Sequence, residues 1–195
     1  VDERLSGHAD LSAVQIGKSV ILSEYLNPCE QIHKIVEVEY VPDPQQAVYP
    51  HDAGLNFCIV GDKLFFNPKT ANAKLVEKCG CKQFIPVKQG YTKCSILPLR
   101  EKVLITNDPG IYKTLSNDDF HVLLLPYGDI ILEGFEYGFI GGAGGMISHD
   151  KLALFGDLNH YSYGKEVLNF LNNHNITPIY LKSGKLTDRG SLFVL

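Results

Sequence analysis

The sequence predicts an α/β fold made of four copies of a strand–strand–helix–strand unit. Three recurring features predict it. Lys18, Lys63, Lys102 and Lys151 each open a short apolar strand (18–22, 63–66, 102–105 and 151–155), at spacings of 45, 39 and 49 residues. An Asn-Pro or Asn-Asp-Pro turn follows three of those strands, at Asn27-Pro28, Asn67-Pro68 and Asn107-Asp108-Pro109. A further apolar or β-branched run then closes each unit.

The elements follow in order. An extended stretch precedes each lysine, at 11–16, 55–60, 94–99 and 146–148. Asn or Asp ahead of Pro marks a turn or helix start, because the side chain caps free N–H groups and Pro presets the first φ. Helical periodicity is clearest over 68–79 and 163–173, carried by Leu75, Val76, Val167, Leu168, Phe170 and Leu171. The closing strands fall at 35–41, 84–87, 122–125 and 176–181. The loops carry no strict consensus of the stacked-repeat kind, so a closed, propeller-like ring suits the unit better than a solenoid. A fifth unit begins at Asp188-Arg189-Gly190-Ser191-Leu192 and stops at Leu195, so the expectation is a single domain over 1–195 whose natural chain starts further upstream.

Composition bounds the function classes. Hydrophobic residues make up 45% and charged residues 21% of the 195, which fits a globular core and excludes bulk disorder. Eighteen basic against 22 acidic residues leave no electrostatic footprint for nucleic acid. No apolar run is long enough for a membrane span, and the start VDERLSG has no signal-peptide core. The five cysteines, at 29, 58, 79, 81 and 94, are odd in number and irregular in spacing. They suggest free thiols in a reducing, cytoplasmic setting rather than a disulfide framework. Cys79-Gly80-Cys81 reads either as half of a metal site or as two thiols at a helix end. No second half with matching spacing accompanies it, so neither a metal nor a cofactor is expected.

Counting back from each anchor lysine locates polar groups at equivalent positions. Ten residues before lie His8, Ala53, Thr92 and Gly141, and eight before lie Asp10, Leu55, Cys94 and Ala143. On strands these two positions share a face. His8, Asp10 and Cys94 would then converge, and a thiol, an imidazole and a carboxylate together make a nucleophilic site. Lys93 and Arg189 would lower the thiol pKa. Asp52, Asn56 and Asp188 would add contacts to a cation. Singly, each residue also reads as structural: a polar strand start, a turn former, a small buried hydrophobe.

Gly7-His8-Ala9-Asp10 and the repeat resemble the pentein superfamily, the guanidine-modifying-enzyme fold of arginine and agmatine deiminases, dimethylargininases and amidinotransferases. The stretch 90–95 with Pro98-Leu99 is similar to the nucleophile segment of arginine deiminases, and 139–145 looks like their Glu-Gly-Gly segment. More closely, the whole chain resembles an uncharacterised bacterial family of that fold, whose members share the GHxD, QGYxKCS and YGFIGG stretches. The resemblance implies a five-fold pseudosymmetric pentein propeller with its fifth unit incomplete in this chain. It implies Cys94 as nucleophile, His8 as general acid/base and Asp10 as a guanidinium ligand. The substrate would be a guanidine- or amidine-type small molecule in a central cleft, and a homo-oligomer is left open. The sequence departs from the enzymes in three ways. Ile140 stands where they have Glu, the unit 53–91 intervenes between His8 and Cys94, and Cys58 competes as nucleophile from that unit. A non-catalytic pentein binding module or a small-molecule sensor is the alternative.

Overall fold

The computed structural model describes residues 5, 7–24, 32–41, 49, 51–116 and 119–194. Asn27-Pro28 and Cys29 lie outside the described residues. The chain divides into two compact units, the first running through Thr92 and the second formed by Lys93–Val194.

Each unit holds two three-stranded mixed sheets of one design. In the first unit a helical turn, α1 (Ala9–Ser12), leads into β1 (Ala13–Ile16), which pairs antiparallel with β2 (Ser19–Ser23). Gly17, at φ +61°, supplies the left-handed residue of the tight turn between them. The crossover returns as β3 (Glu37–Val41), parallel to β2 with Ser19 opposite Glu37. The second sheet repeats the plan: β4 (Cys58–Val60), β5 (Lys63–Phe66), α2 (Ala73–Lys78) and β6 (Gln83–Pro86).

The second unit holds β7 (Ile96–Arg100), β8 (Val103–Thr106), α4 (Pro109–Leu115) and β9 (His121–Leu124). It continues with β10 (Gly144–Ser148), β11 (Lys151–Leu154), α5 (Gly164–Asn173) and β12 (Thr177–Tyr180). A further helical turn, α3 (Thr92–Ser95), precedes β7, and the division between the units falls within it. The strand–strand–helix–strand repeat is therefore present four times as a sheet plan, with all four anchor lysines at or beside the start of the middle strand. Beyond Asp188 the described chain forms no strand, and the one bridge nearby joins Ile131 to Thr187.

The helix starts differ between units in an instructive way. Asp108 caps α4 as its sequence suggests, accepting the Ile111 N–H at 2.8 Å, with Pro109 opening the helix. Asn67-Pro68 instead forms a turn, with the Asn67 side chain accepting the Lys69 N–H at 2.9 Å. Helix α2 starts later, capped by Asn72 on the Leu75 N–H.

Each unit has its own core. The first buries Val14, Ile21, Leu55, Phe57, Leu64 and Leu75. The second buries a larger cluster that includes Leu97, Ile105, Ile140, Leu152, Leu154 and Leu171. Among the described residues no helix is long and apolar enough to cross a membrane.

Candidate functional site

His8, Asp10 and Cys94 do not lie on strands, which corrects the expectation that strand alternation gives them one face. His8 is the N-cap of α1, Asp10 lies within α1, and Cys94 lies within α3. Strands β1 and β7 begin later than the apolar pattern suggests, because a short helical turn stands ahead of each, whereas β10 begins at Gly144, ahead of the expected 146. Local hydrogen bonds build that turn at α3: the Thr92 hydroxyl donates to the Gln89 carbonyl at 2.6 Å and its N–H to Gly90 at 2.8 Å. The third and fourth equivalents are 3-10 turns, His51–Ala53 and Gly141–Ala143.

The first unit gathers a buried polar group from three separate stretches of chain. Asp10 is 1%, Asp52 2% and Asn56 1% exposed. The Asn56 side-chain amide donates to the Asp10 backbone carbonyl at 3.1 Å. The Asn56 carbonyl in turn accepts the Thr92 N–H at 3.1 Å. Asn56 thus ties α1 to the end of the 89–92 loop. The Tyr91 hydroxyl donates to an Asp52 carboxylate oxygen at 2.9 Å. Tyr49 packs on Tyr91, with ring centres 5.1 Å apart, and lies over Gly90. A Cβ at Gly90 would come within 2.6 Å of the Tyr49 ring, so a larger residue there would displace that exposed ring. Two buried carboxylates thus lie in this unit, Asp10 tied through its backbone to Asn56 and Asp52 through its side chain to Tyr91. Tyr49 and Tyr91 are the members that sequence reasoning missed. The signal was the aromatic following Gly90 in the segment already singled out for its cysteine.

The second unit has its own polar cluster. Cys94 is 4% exposed, Lys93 is half-buried and Ser95 is fully buried. The Ser95 carbonyl accepts the Thr106 hydroxyl at 2.7 Å, and Thr106 Oγ1 accepts the Asp108 N–H at 3.0 Å. Asp188 is buried, and its two oxygens accept the Phe139 N–H at 2.9 Å and the Gly190 N–H at 3.0 Å. Its carboxylate fastens two loops of its own unit together. Arg189 is exposed, and its backbone N–H donates to Gly142 at 2.9 Å. Ile140 is fully buried in the apolar core, with its N–H held by the Asn107 side chain at 2.7 Å. Cys58, the competing nucleophile, is fully buried on β4 opposite Phe65 in the first unit. Among the described residues no group of three or more His, Cys, Asp or Glu is arranged to hold a metal ion.

Comparison with known proteins places this fold. A model for a family of unknown function, DUF6873, matches residues 1–193. No curated protein matches the chain. Among solved structures, an amidinotransferase of the saxitoxin biosynthetic pathway from Microseira wollei superposes with a TM-score of 0.56 at 12% identity, covering 95% of this chain and 65% of that one. DDAH from Pseudomonas aeruginosa, complexed with citrulline, gives 0.55 at 14%, covering 92% and 71%. The agmatine deiminase of C. jejuni gives 0.55 at 12%, covering 89% and 66%. At such identities the likeness is one of fold, and the chain spans about two thirds of the length of these structures.

Proposed function

The chain belongs to DUF6873, a family of unknown function, and has the α/β fold of the pentein enzymes, and from that premise we propose that it is a cysteine-dependent hydrolase or transferase acting on a guanidine- or amidine-type small molecule. The observation that carries the reading is the burial of Asp10, Asp52 and Asn56 in the first unit, with Asn56 tied to the Asp10 backbone and Tyr91 to the Asp52 carboxylate. A guanidinium offers a carboxylate positive charge and several N–H donors in one plane. Asp10 and Asp52 bind the cation, while Asn56 and Tyr91 hold them in place. In this reading Cys94 supplies the thiolate that attacks the amidine carbon, and His8 carries protons to the leaving amine and from water. Lys93 and Arg189 favour the thiolate form. Asp188, engaged with backbone N–H groups, supports the fold of its own unit.

A second reading has specific support. Ile140 places an apolar core residue where the enzymes carry an acid, and Cys94 is almost wholly buried. Both favour a pentein that binds a small cation without turnover, as a binding module or sensor.

Two measurements separate these readings. Alkylation of each cysteine by iodoacetamide across about pH 5–9, read by peptide mass spectrometry, tests the nucleophile. The enzyme reading expects Cys94 to react about tenfold faster than Cys58, Cys79 and Cys81, with His8→Ala removing the advantage. Calorimetric titration with a panel of guanidines tests the cation site. Binding that Asp52→Ala abolishes, without a reactive Cys94, leaves the binding-module reading. No binding and no reactive cysteine would sink both.

A further inference from the structure

Cys79 and Cys81 take no part in the site above, yet their placement is particular. Cys79 is the C-cap of α2 in the αR conformation, and Gly80 follows at φ +67°. Nothing lies within 4 Å of a Cβ at Gly80, so the left-handed turn, not crowding, calls for glycine there. This reversal turns both thiols toward the end of α2. Cys79 Sγ donates to the Val76 carbonyl at 3.0 Å, and Cys81 Sγ lies 3.9 Å from the Cys79 carbonyl. Cys79 is half-buried, while Cys81 is buried in the first unit's core beside Leu64 and Leu75. Burial and a hydrogen bond with the Cys79 side chain push the Cys81 thiol up to about 12. The two sulfurs are therefore partners, one reachable from solvent and one shielded.

We propose that Cys79-Gly80-Cys81 is a thiol–disulfide exchange site, with half-buried Cys79 as the attacking thiol and core-facing Cys81 as the resolving one. The oxidant is a small-molecule disulfide. Cys79 loses its S–H proton to water and attacks one sulfur of that disulfide. The S–S bond breaks, and the departing thiolate takes up a proton. Cys81 then gives its proton to solvent and attacks the Cys79 sulfur of the mixed disulfide, forming the Cys79–Cys81 bond and expelling the second small thiol. Two protein thiols are oxidised, and one small disulfide is reduced to two thiols. A bond across a single residue closes a small, strained ring, the class of disulfide that is easily reduced and serves reversible regulation. Closure takes Cys79 Sγ off the Val76 carbonyl and so alters the last turn of α2.

The test uses the full chain, reduced and then equilibrated in graded mixtures of reduced and oxidised glutathione, quenched with an alkylating agent and mapped by peptide mass spectrometry. The expected result is loss of two hydrogens from the peptide carrying both Cys79 and Cys81, reversed by dithiothreitol, while buried Cys58 remains a thiol. Cys81→Ser should raise the glutathione adduct on Cys79 about tenfold, because nothing remains to resolve it. The wild-type result stands even where that variant folds poorly. A stable glutathione adduct on wild-type Cys79, a bond from either thiol to Cys29, or thiols that stay reduced at every ratio would each overturn the proposal.

Discussion

The Asn56 side chain donates to the backbone carbonyl of Asp10 at 3.1 Å, across 46 residues of sequence. That single amide joins the helical turn carrying the first unit's first buried carboxylate to the second unit-1 repeat, where Asp52 lies.

Asn56→Leu removes the donor on the Asp10 carbonyl while keeping the side chain's bulk. The expected cost is about 1–3 kcal/mol in urea unfolding, the usual range for stranding one buried backbone acceptor. Guanidine binding should weaken as well, because the α1 turn loses its tether. A loss of stability confined to a few tenths of a kcal/mol, about the scatter of surface substitutions, would mean that Asn56 is not a tether.

Gly141 and Gly142 give a paired prediction in the second unit. A Cβ at Gly142 would lie 1.8 Å from Asp188 Oδ1, whereas one at Gly141 would meet the backbone carbonyls of Ile96, Cys94 and Lys93 at 2.4–2.5 Å. Each alanine substitution should cost about 3 kcal/mol, the upper range for overpacking. They should differ on rescue. Asp188→Ala relieves the clash at Gly142 and should show strong coupling in a double-mutant cycle with Gly142→Ala. It should leave Gly141→Ala uncorrected, since backbone cannot be trimmed away. Equal rescue of both would show that the clash geometry is not what limits them.

Much of this architecture was legible in the sequence. The anchor lysines and the apolar runs behind them found the middle strands, because an apolar β-branched run between turn residues has few other uses. Asp108-Pro109 found the start of α4 for the same local reason. The short helical turns ahead of β1 and β7 were not legible. Their residues, Ala9–Ser12 and Thr92–Ser95, show no periodicity over four positions, and distant partners such as the Asn56 carbonyl on Thr92 fix the second. Asp10, Asp52 and Asn56, singled out by residue type, are all buried in one unit. Its internal wiring through Tyr91 was not, because a tyrosine hydroxyl reaching a carboxylate 39 residues away leaves no mark on local pattern.

Asp129 gives the acid-stability prediction. Its carboxyl is held down to about 2, first by the hydrogen bond from Lys185 and then by Ser162, which donates through both its hydroxyl and its N–H. A carboxyl depressed in the folded state adds stability above its unfolded pKa, near 4, and that stability fades as pH falls toward 2. Lys185 is 56% exposed, so solvent screening reduces the effect to about 1 kcal/mol. Asp129→Asn should therefore lower stability at neutral pH and flatten its decline between about pH 4 and 2. Urea midpoints across that range check it, and a variant that declines as steeply as the wild type would refute the assignment.

Ile140 tests which reading of the fold applies to this chain. The enzymes that the segment resembles carry an acid at the corresponding place, and Ile140→Glu restores one. In this protein the side chain is packed within the second unit's apolar core, and its N–H is fixed by Asn107. A carboxylate placed there has core neighbours such as Leu97, Ile105 and Leu154, and no cation to offset its burial among them. The expected outcome is a loss of at least about 3 kcal/mol, the cost of a stranded buried charge, with no gain in guanidine affinity. The converse result is equally informative. A variant with the wild-type urea midpoint and guanidine binding about tenfold tighter would mean that position 140 turns to the ligand in solution. The case for a binding module that rests on Ile140 would then fall.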